Sequence, residues 1–589
     1  MNVSGIIKGV CTGLAVLFFS GGGLWAQVPQ IAAPDAGHIA PKPVPQQETP
    51  VAPAPRPSSH VGLGDNDVLV DRLKALVFVP TPDSVDKSGS SATGVVLKNV
   101  SVPSEPGFRK LASSYLGQRV TGKKLNDMIS EIILFYRNHD RPVVDVIVPD
   151  QEITNGGIQI VLLEGKVGQV SVAGNRWFSS SQIADGVSLH LGESISQREM
   201  QRDLDWLNQN PFRTTDVVYT PGKNIGQTDL VLQTRDRFPV RAYAGYEDSG
   251  NAATGFDRYL AGVNISDPWG IGEQLNYQYT TSGDGDSLRA HALSYIIPLP
   301  WHHTLTFFGN YVDTKGLVSP FEVTGHSYQI SGRYSIPLPT LTIGSGLNYK
   351  HEFAAGFDYK YNDNSLEFGA TSVPFTLYDV DQFVMGYTGT ETDSYGQLTL
   401  NDQLYVSPGN WGGNNNDAAF AATHGGANSD YVYNTLILQR LTKLPENWTL
   451  VLRGTLQTSN ANLMPSEQLG FGGYDTVRGY DEREVNSDDG YIFTTELRTP
   501  ALSLGNIFHM PAFKDQFQLL GFWDYGSAQN HAPLPGEPNE IALSSVGFGV
   551  RYSINTYLTV RYDYGFQLCH TGFDNDQGSR SDLGLVLSY

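Results

Sequence analysis

One arginine and one aspartate are the strongest candidates for residues with a chemical role. Arg478 lies in the sequence Val477-Arg478-Gly479-Tyr480, and Asp524 lies further on, in Phe522-Trp523-Asp524-Tyr525-Gly526. Because a guanidinium can bind a carboxylate through two parallel hydrogen bonds, these residue types predict an ion pair. The chain contains no G-x-S-x-G sequence, zinc-binding helix motif or phosphate-binding glycine loop. The expected chemistry is therefore electrostatic rather than catalytic.

The strand that carries Asp524 predicts where its side chain points. In a strand from 518 to 526, alternate residues share a face, which places Phe522, Asp524 and Gly526 together. The opposite face is apolar and fits lipid, so we expect Asp524 to point into an enclosed interior where it needs a partner. The alternative is that Arg478 and Asp524 are solvated separately in a wet pore.

The region that contains both residues reads as a transmembrane β-barrel. From 237 to 589 apolar and polar residues alternate in segments of about ten residues, which is typical of such barrels. The last segment places Leu583, Leu585, Leu587 and Tyr589 on one face. A soluble sandwich has the same period, but a barrel of about 16 strands fits the available length.

The N-terminus predicts export from the cytoplasm. Residues 1–26 have the pattern of a signal peptide, with Lys8 before an apolar stretch and Ala26 at the cleavage position. No apolar run of 18 residues follows, which excludes a spanning helix, and closed barrels are the other way to cross a bilayer. The whole chain has a net charge of −21, which becomes −22 without Lys8, so nucleic acid and anionic membranes are disfavoured as partners. Once Cys11 is removed, Cys569 remains alone and no intramolecular disulfide can form.

Residues 27–65 are rich in proline and predict an extended linker. This linker is either a disordered tail without a site or a tether to an element that precedes the first folded domain. The adjoining stretch from Asn66 to Val79 fits a short helix or a first strand, and its periodicity does not decide between them.

Two α+β domains are expected between the linker and the barrel, at 66–165 and 166–236. The first has a helix with apolar residues at helical spacing, capped by Thr121: Leu125, Met128, Ile129, Ile132 and Tyr136. The second has two sequences of the capping-box type, beginning at Ser179 and at Ser196, each before a helix. The similar order of elements predicts a structural repeat.

The sequence from Pro149 to Gly165 carries a more specific signal. It resembles the end of the first POTRA domain of two-partner-secretion transporters, the haemolysin-activator family of the Omp85 superfamily, at Pro149, Gln151, Gly157, Glu164 and Gly165. The sequence around Arg478 is similar to the tip of the long inward-folding loop of that superfamily, and the sequence around Asp524 to its barrel wall. The resemblance covers residues 94–589.

This resemblance implies an outer-membrane transporter with two POTRA domains in the periplasm. In that family the POTRA domains capture an unfolded partner exoprotein, and the barrel exports it without ATP. The expected partners are the secreted exoprotein and outer-membrane lipid, with no cofactor, metal or nucleic acid. One alternative is a barrel-assembly factor of the same superfamily, which usually carries more POTRA domains. Another is a passive porin, in which the two periplasmic domains would have no task.

Two groups of possible metal ligands have simpler interpretations. Asp574 and Asp576 resemble half of a calcium loop, but the bidentate Glu of such a loop is missing, so a hairpin turn is expected. His302 and His303 are adjacent and would point to opposite sides of a strand, which is poor ligand geometry. We therefore expect both histidines to lie at a strand end.

Overall fold

The computed structural model describes residues 36–45, 66–318, 321–343, 347–368, 371–509, 514–533, 538–570 and 578–589. The chain forms two compact units, one from Gln46 to Phe238 and one that combines Met1–Pro45 with Pro239–Tyr589. Helix α1, Ala36–Ile39, belongs to the second unit.

The first α+β domain is built on a four-stranded sheet. The six strands of the domain are β1 Val68–Val70, β2 Ala75–Val79, β3 Gly94–Leu97, β4 Val120–Thr121, β5 Val144–Ile147 and β6 Gly157–Glu164. Its helices are α2 Glu105–Ser113 and α3 Gly122–Asn138, and a 3₁₀ turn lies at Pro82–Ser84. The sheet order is β3-β2-β6-β5, and β1 pairs with β4. All five residues of β2 are buried, so this strand shows no alternation and could not be recognised from periodicity.

The predicted helix of this domain is confirmed as α3. Its five apolar positions are all buried in the core of the domain, and the Thr121 side chain accepts a hydrogen bond from the Lys124 N–H (3.3 Å). The cap satisfies one of the amide groups that a helix N-terminus leaves without a partner, which is why the helix begins there.

The second α+β domain contains β7 Lys166–Ala173, α4 Ser180–Asp185, α5 Gln197–Leu207, β8 Arg213–Pro221 and β9 Gln227–Asp236. Its sheet order is β7-β9-β8. The predicted cap at Ser196 is confirmed, because its hydroxyl accepts a hydrogen bond from the Glu199 N–H (3.2 Å). The cap predicted at Ser179 is wrong: its hydroxyl pairs with that of Ser181 (2.7 Å) and makes no capping bond to the backbone of α4.

A polar junction connects the two α+β domains. The Asp140 carboxylate, just after α3, accepts hydrogen bonds from the Ser196 hydroxyl and from the Arg198 N–H, both at 2.8 Å. Although partial burial acts in the opposite direction, these hydrogen bonds at the start of α5 and the charge of Arg198 lower the pKa of Asp140. A carboxylate of the first domain thus caps a helix of the second.

The second unit is a closed antiparallel barrel. Its strands are β10 Val240–Glu247, β11 Arg258–Ser266, β12 Gln274–Ser282, β13 Leu288–Pro298, β14 Thr304–Val318, β15 Phe321–Ile343, β16 Leu347–Phe368, β17 Thr371–Asp393, β18 Gly396–Pro408, β19 Asp430–Lys443, β20 Thr449–Ser459, β23 Asp489–Arg498, β24 Asp515–Gln529, β25 Ile541–Ile554, β26 Leu558–Gln567 and β27 Ser579–Ser588. Sixteen strands are described in this barrel, as predicted, and it closes between β10 and β27. A separate hairpin of β21 Leu469–Phe471 and β22 Val485–Ser487, the short helices α6 Asp417–Thr423 and α7 Leu504–Ile507, and a 3₁₀ turn at Pro445–Asn447 lie in its connections.

The predicted inside and outside faces of the last strand are confirmed. Leu583 and Leu587 are exposed on the outer surface, whereas Asp582 and Gly584, on the opposite face of the strand, are buried toward the interior. Among the residues that the structure describes, no helix has both the length and the apolar character needed to cross a membrane.

The two groups of possible metal ligands differ in what the structure shows. The segment with Asp574 and Asp576 lies outside the described residues. His302 lies in the turn before β14, and the adjacent His303 shares a hydrogen bond with the Tyr334 hydroxyl (2.6 Å). Both histidines are therefore next to a strand end.

Candidate functional site in the barrel lumen

The loop between β20 and β23, residues 460–488, folds into the barrel; we call it the inward loop. Val477 and Tyr480 are buried with Phe471 of the loop and Leu543 of the wall. The Tyr480 hydroxyl donates a hydrogen bond to the Ser544 carbonyl (2.8 Å). The loop tip is therefore packed against the inner face of β25.

Gly479 allows the loop tip to approach the wall closely. Its φ is +94°, and a Cβ atom at this position would lie 2.9 Å from the carbonyl carbon of Gly565 in β26. Any other residue would be strained by the backbone conformation and would collide with the strand. This explains the glycine in the Val477–Tyr480 sequence.

The Arg478 side chain joins the loop to two strands of the wall. Its Nε and Nη2 atoms donate to the two oxygens of Asp524 in β24 at 2.8 and 2.9 Å, and its Nη1 donates to Glu496 in β23 at 2.7 Å. The exposed fraction is 1% for Arg478 and 0% for Asp524. The structure thus brings the two residues together in a buried, bidentate ion pair, and neither is separately solvated.

The other two residues of the wall motif also contact the loop. The Phe522 ring lies under the Arg478 guanidinium, 3.6 Å from its central carbon, which is a cation–π geometry. A Cβ atom on Gly526 would lie 2.6 Å from the Phe471 ring of the loop, so the glycine leaves the space that this ring occupies. Phe522, Asp524 and Gly526 together form the surface that receives the loop.

Sequence reasoning missed two carboxylates of this network. Glu496 is one, and Asp563 of β26 is the other, 3.6 Å from Arg478 and also bound by Arg551 and Arg561 at 2.8 and 2.7 Å. Both occupy lumen-facing positions of strands in which apolar and polar residues alternate, and the sequence does contain this alternation. What it does not contain is the register that brings them next to Asp524.

A second segment of the chain also lies in the lumen. Residues 36–45 follow the inner face of β10 to β12, where the Lys42 N–H donates to the Tyr243 hydroxyl (2.9 Å) and the Gln278 amide donates to the His38 carbonyl (3.1 Å). Ile39 is buried against Leu288, Ala290 and Val312. The interpretation of 27–65 as a linker did not include this seated part, because its contacts are with residues more than two hundred positions away.

His38 connects this segment to the inward loop. Its ring lies 3.3 Å from Glu247 of β10, and 3.6 and 3.7 Å from Glu482 and Asp475 of the loop. Lys42 binds the same Glu247 carboxylate at 2.6 Å. The two lumenal elements therefore share one cluster of charges.

The POTRA-like residues serve the fold of the first α+β domain. The Gln151 side chain donates to the Gln159 carbonyl and accepts from its N–H, both at 2.7 Å, and its amide also reaches the Pro149 carbonyl (3.2 Å). A Cβ atom on Gly157 would lie 2.9 Å from the Ser90 carbonyl oxygen, and one on Gly165 would lie 2.8 Å from Val143.

Glu164 acts at the junction of the two α+β domains. Its carboxylate binds Arg141 (2.6 Å) and accepts from the Ser194 hydroxyl (3.2 Å). The described contacts of these five motif residues hold strands and domains together, which distinguishes them from the lumenal residues around Arg478.

Two α+β domains followed by a closed barrel, with a loop fixed inside it by a buried arginine, define the polypeptide-transporting class of outer-membrane barrels. Comparison with known families identifies the group within that class. The model of the haemolysin secretion/activation protein family ShlB/FhaC/HecB matches residues 226–552, just over half of the chain, and the ShlB-type POTRA domain model matches 91–165. The chain belongs to the ShlB/FhaC/HecB family, whose members are two-partner-secretion transporters of the outer membrane.

Known relatives are similar in sequence, and a solved structure shares the fold. The chain is 23% identical to the heme/hemopexin transporter protein HuxB of Haemophilus influenzae over 75% of its own length and 77% of the relative's. It is 20% identical to the outer membrane transporter CdiB of Dickeya dadantii, over 68% and 71% of the two chains. The structure of CdiB from Escherichia coli aligns with 92% of this chain and 94% of its own, at a TM-score of 0.69 and 14% identity.

Proposed function

We propose that this outer-membrane protein captures an unfolded partner exoprotein with its POTRA domains and exports it through the barrel without ATP. The observation that carries this proposal is the inward loop, whose tip is attached to the wall by the Arg478 ion pairs and by the packing of Val477 and Tyr480. A passive diffusion porin does not need such an element. A barrel that transports a polypeptide needs a lumen from which the blocking element can be displaced. Within this scheme, 1–26 is the signal peptide, 66–165 and 166–236 are the POTRA domains, and 237–589 is the conduit.

Strand β8 is the candidate capture edge. It lies at the end of the sheet order β7-β9-β8 and pairs with β9 on one side. An edge of this kind offers backbone donors and acceptors to any extended chain, which suits an unfolded cargo. Its nine residues include Val218, whose side chain is 47% exposed. We infer that the exoprotein adds a strand along β8.

Binding to a soluble fragment tests capture. The unit from 66 to 238 should bind the unfolded N-terminal part of the exoprotein more tightly than the folded form, because backbone pairing requires an extended chain. Val218→Lys should weaken this binding, since lysine on an edge strand opposes strand addition. Leu191→Lys changes an exposed apolar residue outside the β strands of the same domain and serves as the control. Equal affinity for folded and unfolded cargo would contradict capture by strand addition.

Reconstitution tests export. Liposomes that contain the purified protein should take up the unfolded exoprotein in the absence of any nucleotide. Uptake that requires ATP would contradict the proposed energetics, while uptake of folded cargo would contradict passage as an extended chain.

A further inference from the structure

Glu467, at the beginning of the inward loop, is a buried carboxylate that the Arg478 network does not use. Its side chain is 0% exposed and binds the Lys360 ammonium at 2.7 Å. Among the described residues, three neutral groups also donate hydrogen bonds to this carboxylate: the amide of Gln382 and the hydroxyls of Tyr433 and Ser466, at 2.9, 2.8 and 2.9 Å. A carboxylate removed from water needs this number of partners, so its position is strongly determined.

These partners lie on a different part of the wall from the partners of Arg478. Lys360, Gln382 and Tyr433 belong to β16, β17 and β19. The partners of Arg478 belong to β23, β24 and β26, and the loop leaves the wall between the two groups, after β20. The loop is therefore attached on both sides of its point of origin.

Apolar contacts reinforce the attachment at Glu467. Leu463 and Met464 of the loop are fully buried against Tyr378, Val380, Phe420, Tyr431 and Tyr433. The Gln457 amide of β20 donates to the Glu467 carbonyl at 3.0 Å. Packing and hydrogen bonds therefore fix the beginning of the loop in one position relative to the wall.

We propose that Lys360 and Glu467 are a positioning pair that forms a second anchor of the inward loop. The pair holds the beginning of the loop against β16 to β19, so that Arg478 meets Asp524, and the loop leaves its closed position fully only when both anchors are released. This inference rests on the proposed function in one respect, that the loop moves during export. Lys360 is 17% exposed and can be rehydrated when the pair breaks, whereas Glu467 loses its partners inside the protein.

Conductance in planar bilayers tests the anchor with the full-length protein and no exoprotein. Lys360→Met and Glu467→Gln should each raise the fraction of time in the open state by at least about twofold. This factor corresponds to the smallest interaction energies that are typical of residues in one hydrogen-bond or ion-pair network. Lys360→Arg keeps the charge and should stay close to wild type. Asp393→Asn is the control, because the Asp393–Arg440 pair (2.8 Å) joins β17 to β19 without contacting the loop. Heat-modifiable migration in gels checks that the barrels of the variants are folded. If they are, unchanged open fractions in both anchor variants would overturn the proposal.

A double-mutant cycle separates an anchor from general stabilisation of the barrel. Because full opening requires the release of both anchors, Lys360→Met combined with Asp524→Asn should raise the open fraction above that of either single variant, whereas Asp393→Asn combined with Asp524→Asn should behave like Asp524→Asn alone. A Lys360→Met/Asp524→Asn variant that opens no more often than the stronger single variant would overturn the proposal. Because no exoprotein takes part, failure here concerns the anchor alone, whereas normal gating without secretion of exoprotein would count against the proposed function.

Discussion

Removing the Arg478 side chain is the change with the largest expected effect on the inward loop. In Arg478→Ala, Glu496 retains Arg498 and Arg551 nearby, at 2.5 and 3.6 Å, but Asp524 loses both of its side-chain hydrogen bonds from Arg478. A buried charge that loses its partner costs about 3–5 kcal/mol. Since about 1.4 kcal/mol corresponds to a factor of ten, the closed position of the loop should become less favoured by about a hundredfold or more.

Two assays together measure this effect. The open fraction in planar bilayers should rise in Arg478→Ala, and secretion of the exoprotein into the medium should fall, because a loop without its wall contacts no longer takes the defined position from which it is displaced during export. Heat-modifiable migration of the barrel from outer-membrane fractions checks that insertion is normal. Arg478→Lys should be intermediate, since a single ammonium lacks the fork that binds Asp524 and Glu496 together.

Charge exchange gives the result that would refute this reasoning. A simple pair predicts that Arg478→Asp combined with Asp524→Arg recovers secretion. The structure predicts that it does not, because an aspartate at 478 would face Glu496 and Asp563, whose oxygens lie 2.7 and 3.6 Å from the guanidinium. Full recovery by the exchange, or wild-type behaviour of Arg478→Ala in both assays, would show that the three-carboxylate network does not hold the loop.

Three further predictions concern other parts of the chain. Leu585→Arg on the lipid face of β27 should cost roughly 2–4 kcal/mol of barrel stability, measured by urea unfolding in lipid, whereas Val586→Arg on the lumen face should cost much less. The pKa of Asp140 is lowered in the folded state, so its contribution to stability is present above its usual pKa of about 4 and is lost as the pH falls further. The urea midpoint of the 66–238 fragment should therefore fall less on acidification in Asp140→Asn than in wild type. His38→Ala combined with Lys42→Ala should raise the bilayer conductance, since both side chains attach residues 36–45 to Glu247; an unchanged conductance would show that this segment does not restrict the pore.

Most of the architecture is readable from the sequence because it depends on local periodicity. Alternation across 237–589 predicts a closed barrel, and helical spacing from Leu125 to Tyr136 predicts α3, since each pattern matches the face that its element buries. Periodicity does not identify strand β2, because burial on both faces removes the alternation on which recognition depends.

The candidate site was only partly predictable, because it is made by contacts between distant residues. The types and spacing of Arg478 and Asp524, with the family resemblance, predict their pairing. Glu496 and Asp563 join them through strand register, which a sequence pattern does not specify. Lys360 and Glu467 are separated by 107 positions, and no local pattern connects them.

Cross-linking during export tests the central claim, passage of an extended exoprotein through the lumen, most directly. A photoreactive amino acid is placed at Gln439, which faces the lumen opposite Arg453, or at the adjacent lipid-facing Leu438 as a control. With an exoprotein stalled in transit by a fused folded domain, we predict strong cross-links from position 439 and none from position 438. Secretion that proceeds with no cross-link from position 439, or with equal cross-links from both positions, would contradict transport through the barrel.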